Sequence, residues 1–466
     1  MITYVLLLLF VATFLLLIVK RDEIAIVSIL ISFFSMCYIF LSPDILVLGF
    51  GGWSPPFGIV WVLDKLNVFL ALLVTGVSSV IAVYSLKYIK ERRHRYYTLL
   101  CLITIGLLGV SLTGDIFNLY VFFEILSVSS YALVAFFLDE HAIEGAFKYL
   151  VAGSVTSLFI LIGVSMLYGL TGTLNFADLA LKVSSEPPYM VALGLLIAGF
   201  ALKATIIPFH AWKPDAIEGT PPPIGAIFTA VSTSIGVYGI LRILFIFNLL
   251  QINWVLIVFG VVTMLMGAFL ALVQTNVKRM LAYSGISQIG YVVMVIGFGT
   301  LLGFTSGLYH IMNNAIVKTL LFMGVGIGIY MTGKENLNEM GIKNTTLLVC
   351  VGIGLLSLSG IPPLNGFVSK WLILMASWEI SPILTVIAIV SSAITLAYSF
   401  KIFSAMFLTT KRIEVKIPKT LLLPVVILTL LCVLIGVFPQ IGLNLIEPAV
   451  NALLNQNQYI TAVLGG

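Results

Sequence analysis

Charge is scarce in this chain. Asp, Glu, Lys and Arg make up only 9% of its 466 residues, while 60% are hydrophobic. Soluble proteins carry about 25% charged residues. The shortage excludes a soluble protein with one anchor and implies a polytopic membrane protein. Cysteine is scarce too. Cys37, Cys101, Cys350 and Cys432 stand singly in apolar segments. With no CxxC pair and no Cys/His cluster, neither metal nor haem nor iron–sulfur site is expected. No Gly-rich phosphate loop precedes a basic residue, so no P-loop nucleotide site is expected. The reading is therefore no cofactor and no redox centre of its own. The net charge of +5 calls for no nucleic-acid partner, because the basic residues sort by topology. The first apolar run lacks a basic start and a small-residue cleavage site, so it reads as a helix and not a signal peptide.

What charge there is stands in unusual places. Lys148, Lys203, Lys318 and Lys370 each lie inside an apolar stretch long enough to cross a bilayer, and Glu124 lies in "IFNLYVFFEILSVSSYALVAFF". A charge at the centre of a membrane helix costs at least about 2.5–3.5 kcal/mol. Several such charges of both signs point to a wet internal path for ions or protons.

A span needs roughly 20 apolar residues, and fourteen are expected. They run over 2–19, 24–41, 61–83, 97–113, 115–138, 142–168, 190–208, 221–247, 253–273, 280–299, 302–331, 345–375, 383–409 and 419–440. With loops alternating, one side collects Lys20, Arg21, Lys87, Lys90, Arg92, Arg93 and Arg95. It also collects Lys213, Lys278, Arg279, Lys334, Lys343, Lys411, Arg412, Lys416 and Lys419. The other side's loops hold Lys182, with Lys65 near a helix end. The positive-inside rule makes the first side cytoplasmic and places both termini outside.

Two segments break the helical pattern: "GFALKATIIPFHAWKPDAIEGTPPPIGAI" at 199–227 and "LSGIPPLNGFVSKWLIL" at 358–374. Each joins prolines to a lysine, Lys203 or Lys370. Proline removes a backbone donor and breaks the helical ladder. In lipid that is tolerated only where the freed groups face protein or water. Interrupted helices in two halves point to inverted repeats. The expected fold is thus all-α, with two inverted five-helix repeats, spans four to eight and nine to thirteen. The third span of each carries a His-to-Lys motif, His141 to Lys148 and His310 to Lys318. The expected divisions are residues 1–96 (spans one to three), 97–247 (first repeat), 253–409 (second repeat) and 419–466 (last span and a short tail).

These residues resemble the antiporter-like subunits of respiratory complex I and of Mrp-type cation/proton antiporters. The resemblance rests on five motifs in order: "GDIFNLYVFFEILSVSSYALVAF" at 114–136, "AIEGAFKYLVAGSVTS" at 142–157, "LKATIIPFHAWKPDAIEGTPPPIGAI" at 202–227, "LAYSGISQIGY" at 281–291 and "LSGIPPLNGFVSKW" at 358–371. It covers nearly the whole chain. It implies a line of buried titratable groups along the membrane plane: Glu124, Lys203, His310, Lys318 and Lys370, with Lys148 as a further candidate. The family's eighth-helix Lys or His position falls here on Ser234, whose hydroxyl orients water but holds no charged proton near neutral pH. Hydroxyls of Ser232, Thr233 or Ser234 are expected to line a water link there. Asn314 stands where some relatives have a second histidine. The short tail lacks the long lateral helix of the largest complex I member. The chain therefore looks more like the antiporters' D-type member, or its counterpart in archaeal membrane-bound hydrogenases and related ferredoxin-driven complexes.

The implied function is translocation of H+, with Na+ as a second candidate, within a prokaryotic plasma-membrane complex. The implied partners are other membrane subunits, including further antiporter-like ones, and the lipid bilayer. Two alternatives stand beside it: a structural subunit of the same complex that has lost translocation, and a free-standing carrier of an organic solute. At single residues, Lys203 with Glu124 is alternatively a static ion pair joining helices, and Lys148 a side chain that snorkels to the surface. His310 is alternatively a hydrogen-bonded core histidine, and His210 and Asp215 read as structural caps. Arg242 and Lys401 are expected nearer helix ends or on a partner-facing surface and remain unassigned.

Overall fold

A computed structural model describes residues 2–43, 45–409 and 413–465, with side chains from residue 5 onward. Lys411 and Arg412 of the basic loops lie outside the described residues. The chain begins with α1 (Ile2–Val19) and α2 (Glu23–Leu41), then a hairpin of β1 (Leu46–Gly49) and β2 (Val60–Leu63). There follow α3 (Lys65–Tyr88), α4 (Arg93–Leu112), α5 (Ile116–Val134), α6 (Glu140–Thr171), the short α7 (Phe176–Lys182) and α8 (Pro187–Lys203). Next come α9 (Trp212–Gly219), α10 (Pro222–Ile227), a π-helical turn at Phe228–Ser232 and α11 (Thr233–Ile246). The second half holds α12 (Trp254–Val273), α13 (Val277–Ile296), α14 (Leu301–Thr332), α15 (Thr345–Ser359), α16 (Asn365–Ile380) and α17 (Pro382–Phe403). The chain closes with α18 (Lys419–Val437), α19 (Pro439–Leu454) and α20 (Gln456–Leu464).

Among the described residues, eleven helices are long and apolar enough to cross a membrane, counting α10 to α11 as one. Three shorter apolar helices, Val5–Val19, α8 and α15, accompany them. Helix starts follow local chemistry. Asp64, Asp115, Asp139, Asn253, Asn276 and Asn344 each accept a backbone N–H of the first turn they precede, satisfying donors that have no intrahelical partner. Long helices α6 and α14 both end on a left-handed glycine, Gly172 and Gly333, the conformation that glycine adopts without a Cβ penalty. Helices α12 and α13 lie backbone to backbone: a Cβ on Gly290 would stand 2.2 Å from the Met264 nitrogen. Small residues at such crossings let membrane helices approach and gain dispersion contacts.

Both interruptions are present. Helix α8 stops at Lys203 and α9 resumes at Trp212. Helix α15 stops at Ser359, turns through Gly360 at φ +82°, and α16 resumes at Asn365. The span expected over 345–375 is therefore two helices. Freed backbone groups find protein partners: Ile207 N–H donates to Thr263 Oγ1 at 3.0 Å, Trp212 Nε1 to the Leu202 carbonyl at 3.4 Å, and Lys370 Nζ to the Ser359 carbonyl at 3.3 Å.

Four features depart from the sequence reading. The hairpin, paired Leu46 with Leu63 through Gly49 with Val60, adds strand to an otherwise helical chain. The segment after residue 440 is helical, and α19 packs on α3 and α14 through Ile446, Val450 and Leu453. Lys213 and Lys278, counted among the loop cations, are buried at 0% and 4% exposure. Proline-flanked Lys213 turns inward with the broken segment, and Lys278 is held by Glu335 at 2.6 Å. Lys401, unassigned from sequence, caps α12 by donating to the Leu272 and Gln274 carbonyls at 2.9 and 2.8 Å.

Candidate functional site

Lys203 is the last residue of α8 and 3% exposed. Its ammonium donates to the Tyr149 hydroxyl at 2.8 Å and lies 5.1 Å from the centre of the Phe123 ring. Tyr149 is in turn stacked on Trp212, ring centres 4.1 Å apart. Glu124, half-buried, accepts a hydrogen bond from Ser157. No ion pair joins Glu124 to Lys203 among the described residues. The lysine sits against the preceding residue of α5, where aromatic faces hold its charge. The static ion pair is thus replaced by a cation on an aromatic shelf with a carboxylate close by.

The second half holds Lys318, His310 and Lys370. Lys318 is fully buried in the middle of α14 and donates to Ser284 Oγ of α13. His310 lies two turns earlier on α14, with Nε2 3.1 Å from Gln288 Oε1 and Nδ1 3.1 Å from Ser369 Oγ. Ser369 precedes Lys370 on α16, and the Tyr291 ring, 5.7 Å from the His310 ring, stands between the histidine and Lys370. The Lys370 ammonium lies 5.4 Å from the centre of the Tyr291 ring, beside the break at Gly360. None of Lys203, Lys318 and Lys370 has an ion-pair partner among the described residues. Among the described residues, Asn313 Oδ1 and Asn314 Oδ1 are buried without a protein partner, the kind of group that holds an internal water.

Between the two halves stands Ser234. It is buried, and its hydroxyl donates back to the Ala230 carbonyl at 3.2 Å. Thr233 Oγ1 likewise reaches the Thr229 carbonyl at 3.4 Å. That carbonyl also accepts from Asn314 Nδ2 at 3.1 Å, across from α14. The π-helical turn at 228–232 shifts the register just before these residues, a local device frequent at functional sites.

Lys148 is not enclosed by the bundle. Its side chain is 44% exposed and pairs with Glu144 at 2.7 Å and Asp215 at 2.6 Å. Asp215 also accepts from Arg279, which reaches Glu218 at 2.7 Å. Together with His141 they line a cleft of about 250 Å³. Burial raises the Asp215 carboxyl, but Lys148 and Arg279 outweigh it and hold the group below the usual carboxylate range. Asp215 is thus a bridge from α9 to α6 and α13.

Sequence reasoning missed Arg242. It is 1% exposed and donates to Asp64, the N-cap of α3, with Tyr238 Oη 3.0 Å from its Nε. An arginine in an apolar helix was a signal of burial, but its carboxylate lies 178 positions away. It also missed Tyr149, Ser284, Gln288 and Ser369, the polar side chains that touch the charged ones.

The family of membrane segments described as NADH:quinone oxidoreductase/Mrp antiporter matches residues 113–395. The chain belongs to this family. The N-terminal part of complex I chain 5 matches residues 51–97. The NADH-quinone oxidoreductase subunit N of Desulforudis audaxviator is 34% identical over 435 residues, covering 85% of this chain and 86% of that one. The D-type member of the Na(+)/H(+) antiporter of Bacillus subtilis is 32% identical over 433 residues, covering 90% and 88%. A chain of the archaeal membrane-bound sulfane sulfur reductase, a respiratory membrane complex, superposes with TM-score 0.94 at 30% identity over 99% of both chains. The chain is accordingly a multi-pass, antiporter-like membrane subunit, as its motifs implied.

Proposed function

We propose that this subunit moves H+, with Na+ as the alternative ion, within a multisubunit redox-driven or Mrp-type complex. Glu124, Lys203, His310, Lys318 and Lys370 are its charge-carrying groups. The observation that carries the reading is three lysines buried within the helical bundle with no carboxylate paired to them among the described residues. A purely structural lysine in such a place gains nothing that an apolar residue would not supply better. A lysine is also a group whose protonation responds readily to burial. The relatives are named as subunits of an antiporter and an oxidoreductase, which supports a partner-driven role in a prokaryotic membrane. The basic loops are assigned to the cytoplasm and both termini to the outside.

We infer an internal repeat from matched positions. Helices α4, α5 and α6 begin at Arg93, Ile116 and Glu140, and α12, α13 and α14 begin at Arg93 + 161, Ile116 + 161 and Glu140 + 161. The isolated backbone bridge Asp115–Asn175 recurs as Asn276–Asn336 at the same offset. This register sets His141 against Leu302, so the two His-to-Lys motifs are not equivalent positions.

A non-translocating structural subunit is the second reading, favoured by the Ser234 hydroxyl being spent on its own helix. Lys203→Ala separates the two. In the complete complex, reconstituted in vesicles, the variant is expected to assemble normally and lose coupled ion flux by at least about tenfold. Wild-type flux in an intact Lys203→Ala complex would favour the structural reading.

A further inference from the structure

Lys213 carries no role in the line above, yet it is fully buried between its two halves. It lies on α9, in the break of the first interrupted helix, and is 0% exposed. No carboxylate pairs with it among the described residues. Its hydrogen-bond partner there is Thr205 Oγ1 at 3.5 Å. Thr205 holds a φ of +59°, an outlier for a β-branched residue that persists only where the surroundings impose it.

The ammonium points at α13. A Cβ on Gly285 would stand 3.5 Å from Lys213 Nζ and 3.0 Å from Thr229 Cγ2. Gly285 adjoins Ser284, the residue that accepts from Lys318. On its other side, Lys213 follows Trp212, the ring stacked on the Tyr149 that binds Lys203. Thr229, which shares the Gly285 surface, lies five residues before Ser234. The repeat register also sets Gly285 opposite Glu124, so the first half's acidic position has no counterpart in the second. The space over that glycine is taken by the Lys213 ammonium.

We propose that Lys213 is the central proton carrier of this subunit, reaching from the broken helix into the gap that Ser234 leaves on the next span. The proposal rests on the translocation reading above. A proton leaves the Lys203 ammonium and is taken up by neutral Lys213, through water. It then passes in the same way to neutral Lys318. At each step one N–H bond breaks and one forms, and one lysine becomes neutral as the next becomes charged. No oxidant or co-reactant is needed.

The test uses the complete complex in vesicles, with coupled proton flux and subunit assembly read together. Lys213→Met, which keeps the length and apolar stem of the side chain, is expected to lose flux by at least about tenfold. Adding Ser234→Lys to Lys213→Met is expected to recover a substantial part, because a cation returns to the gap from the neighbouring helix. Wild-type flux in Lys213→Met overturns the proposal, as does a double variant that assembles but stays at the single variant's level. If neither variant assembles, Lys213 is a packing element and the proposal falls. Lys203→Ala run alongside separates the two ideas. Loss there with an active Lys213→Met removes only Lys213, whereas wild-type flux in both removes the translocation reading itself.

Discussion

The Lys203 ammonium donates to the Tyr149 hydroxyl at 2.8 Å, while the carboxylate of Glu124 accepts from Ser157. Two charges that sequence reasoning would pair are thus each held by a neutral hydroxyl. A contact ion pair would lock both groups in their charged forms. No such pair joins them among the described residues. Tyr149→Phe keeps the stack on Trp212 and removes the hydroxyl that accepts from Lys203. It is expected to assemble normally and to lower coupled flux several-fold, less than Lys203→Ala does. Unchanged flux in proteoliposomes would show that the hydroxyl takes no part.

The Asp64–Arg242 pair is a different kind of object. Both side chains are 1% exposed, and the pair ties α3 to α11. Asp64→Asn keeps a residue able to cap α3 but leaves the guanidinium uncompensated. Removing one partner of a buried pair costs about 3–5 kcal/mol. A marked fall in the thermal midpoint of the purified complex is expected, with flux per assembled complex unaltered. An unchanged midpoint would contradict the burial of the pair.

Gly366 is where the second broken helix resumes. A Cβ there would fall 1.6 Å from the Ser357 carbonyl oxygen, a backbone atom that cannot step aside. Gly366→Ala is expected to push α16 from α15, displacing Ser369 and Lys370, and to reduce assembled protein in the membrane. Normal assembly with normal flux would mean that this junction is looser than the structure shows.

Asp215 gives a pH signature. Its folded carboxyl is held below the usual range by Lys148 and Arg279, with burial opposing them. Its contribution to stability is therefore fully present above the unfolded value near pH 3.9 and is lost as pH falls through the lower folded value. Asp215→Asn is expected to cost on the order of 1 kcal/mol, since both partners are partly exposed. The difference from wild type should be flat from pH 8 to 5, in round numbers, and shrink only below about pH 4. Thermal unfolding across pH reads this, and a difference that vanishes near neutrality would count against the bridge.

Ser234 now carries a sharper expectation. Its hydroxyl bonds the Ala230 carbonyl of its own helix. Ser234→Ala should therefore leave flux within about twofold of wild type. A large loss in this variant would restore the hydroxyl to the conducting line and weaken the case for Lys213.

Much of this protein was legible locally. Hydropathy marked the spans, and the prolines marked both breaks. Lys203, Lys318 and Lys370 announced themselves as cations within apolar runs, and the structure buries all three. Lys148 was legible only in part, because an apolar run does not reveal that one side of α6 faces outward at that level. Lys213 was misread for the converse reason. Flanked by His210, Pro214 and Asp215, it has the composition of a loop.

The sequence by itself determined that the chain is a membrane protein, where its helices break, and that Lys203, Lys318 and Lys370 stand within apolar runs. These are sums of per-residue transfer costs and backbone constraints, which act within one helix or one turn. Only the tertiary structure decided who touches whom: Lys203 on Tyr149, Lys318 on Ser284, His310 between Gln288 and Ser369, Arg242 on Asp64. Electrostatic and hydrogen-bond energies depend on separations of a few ångströms between residues 22 to 178 positions apart. Such distances are set by helix packing, so the partner of each buried charge emerges only once the helices are assembled.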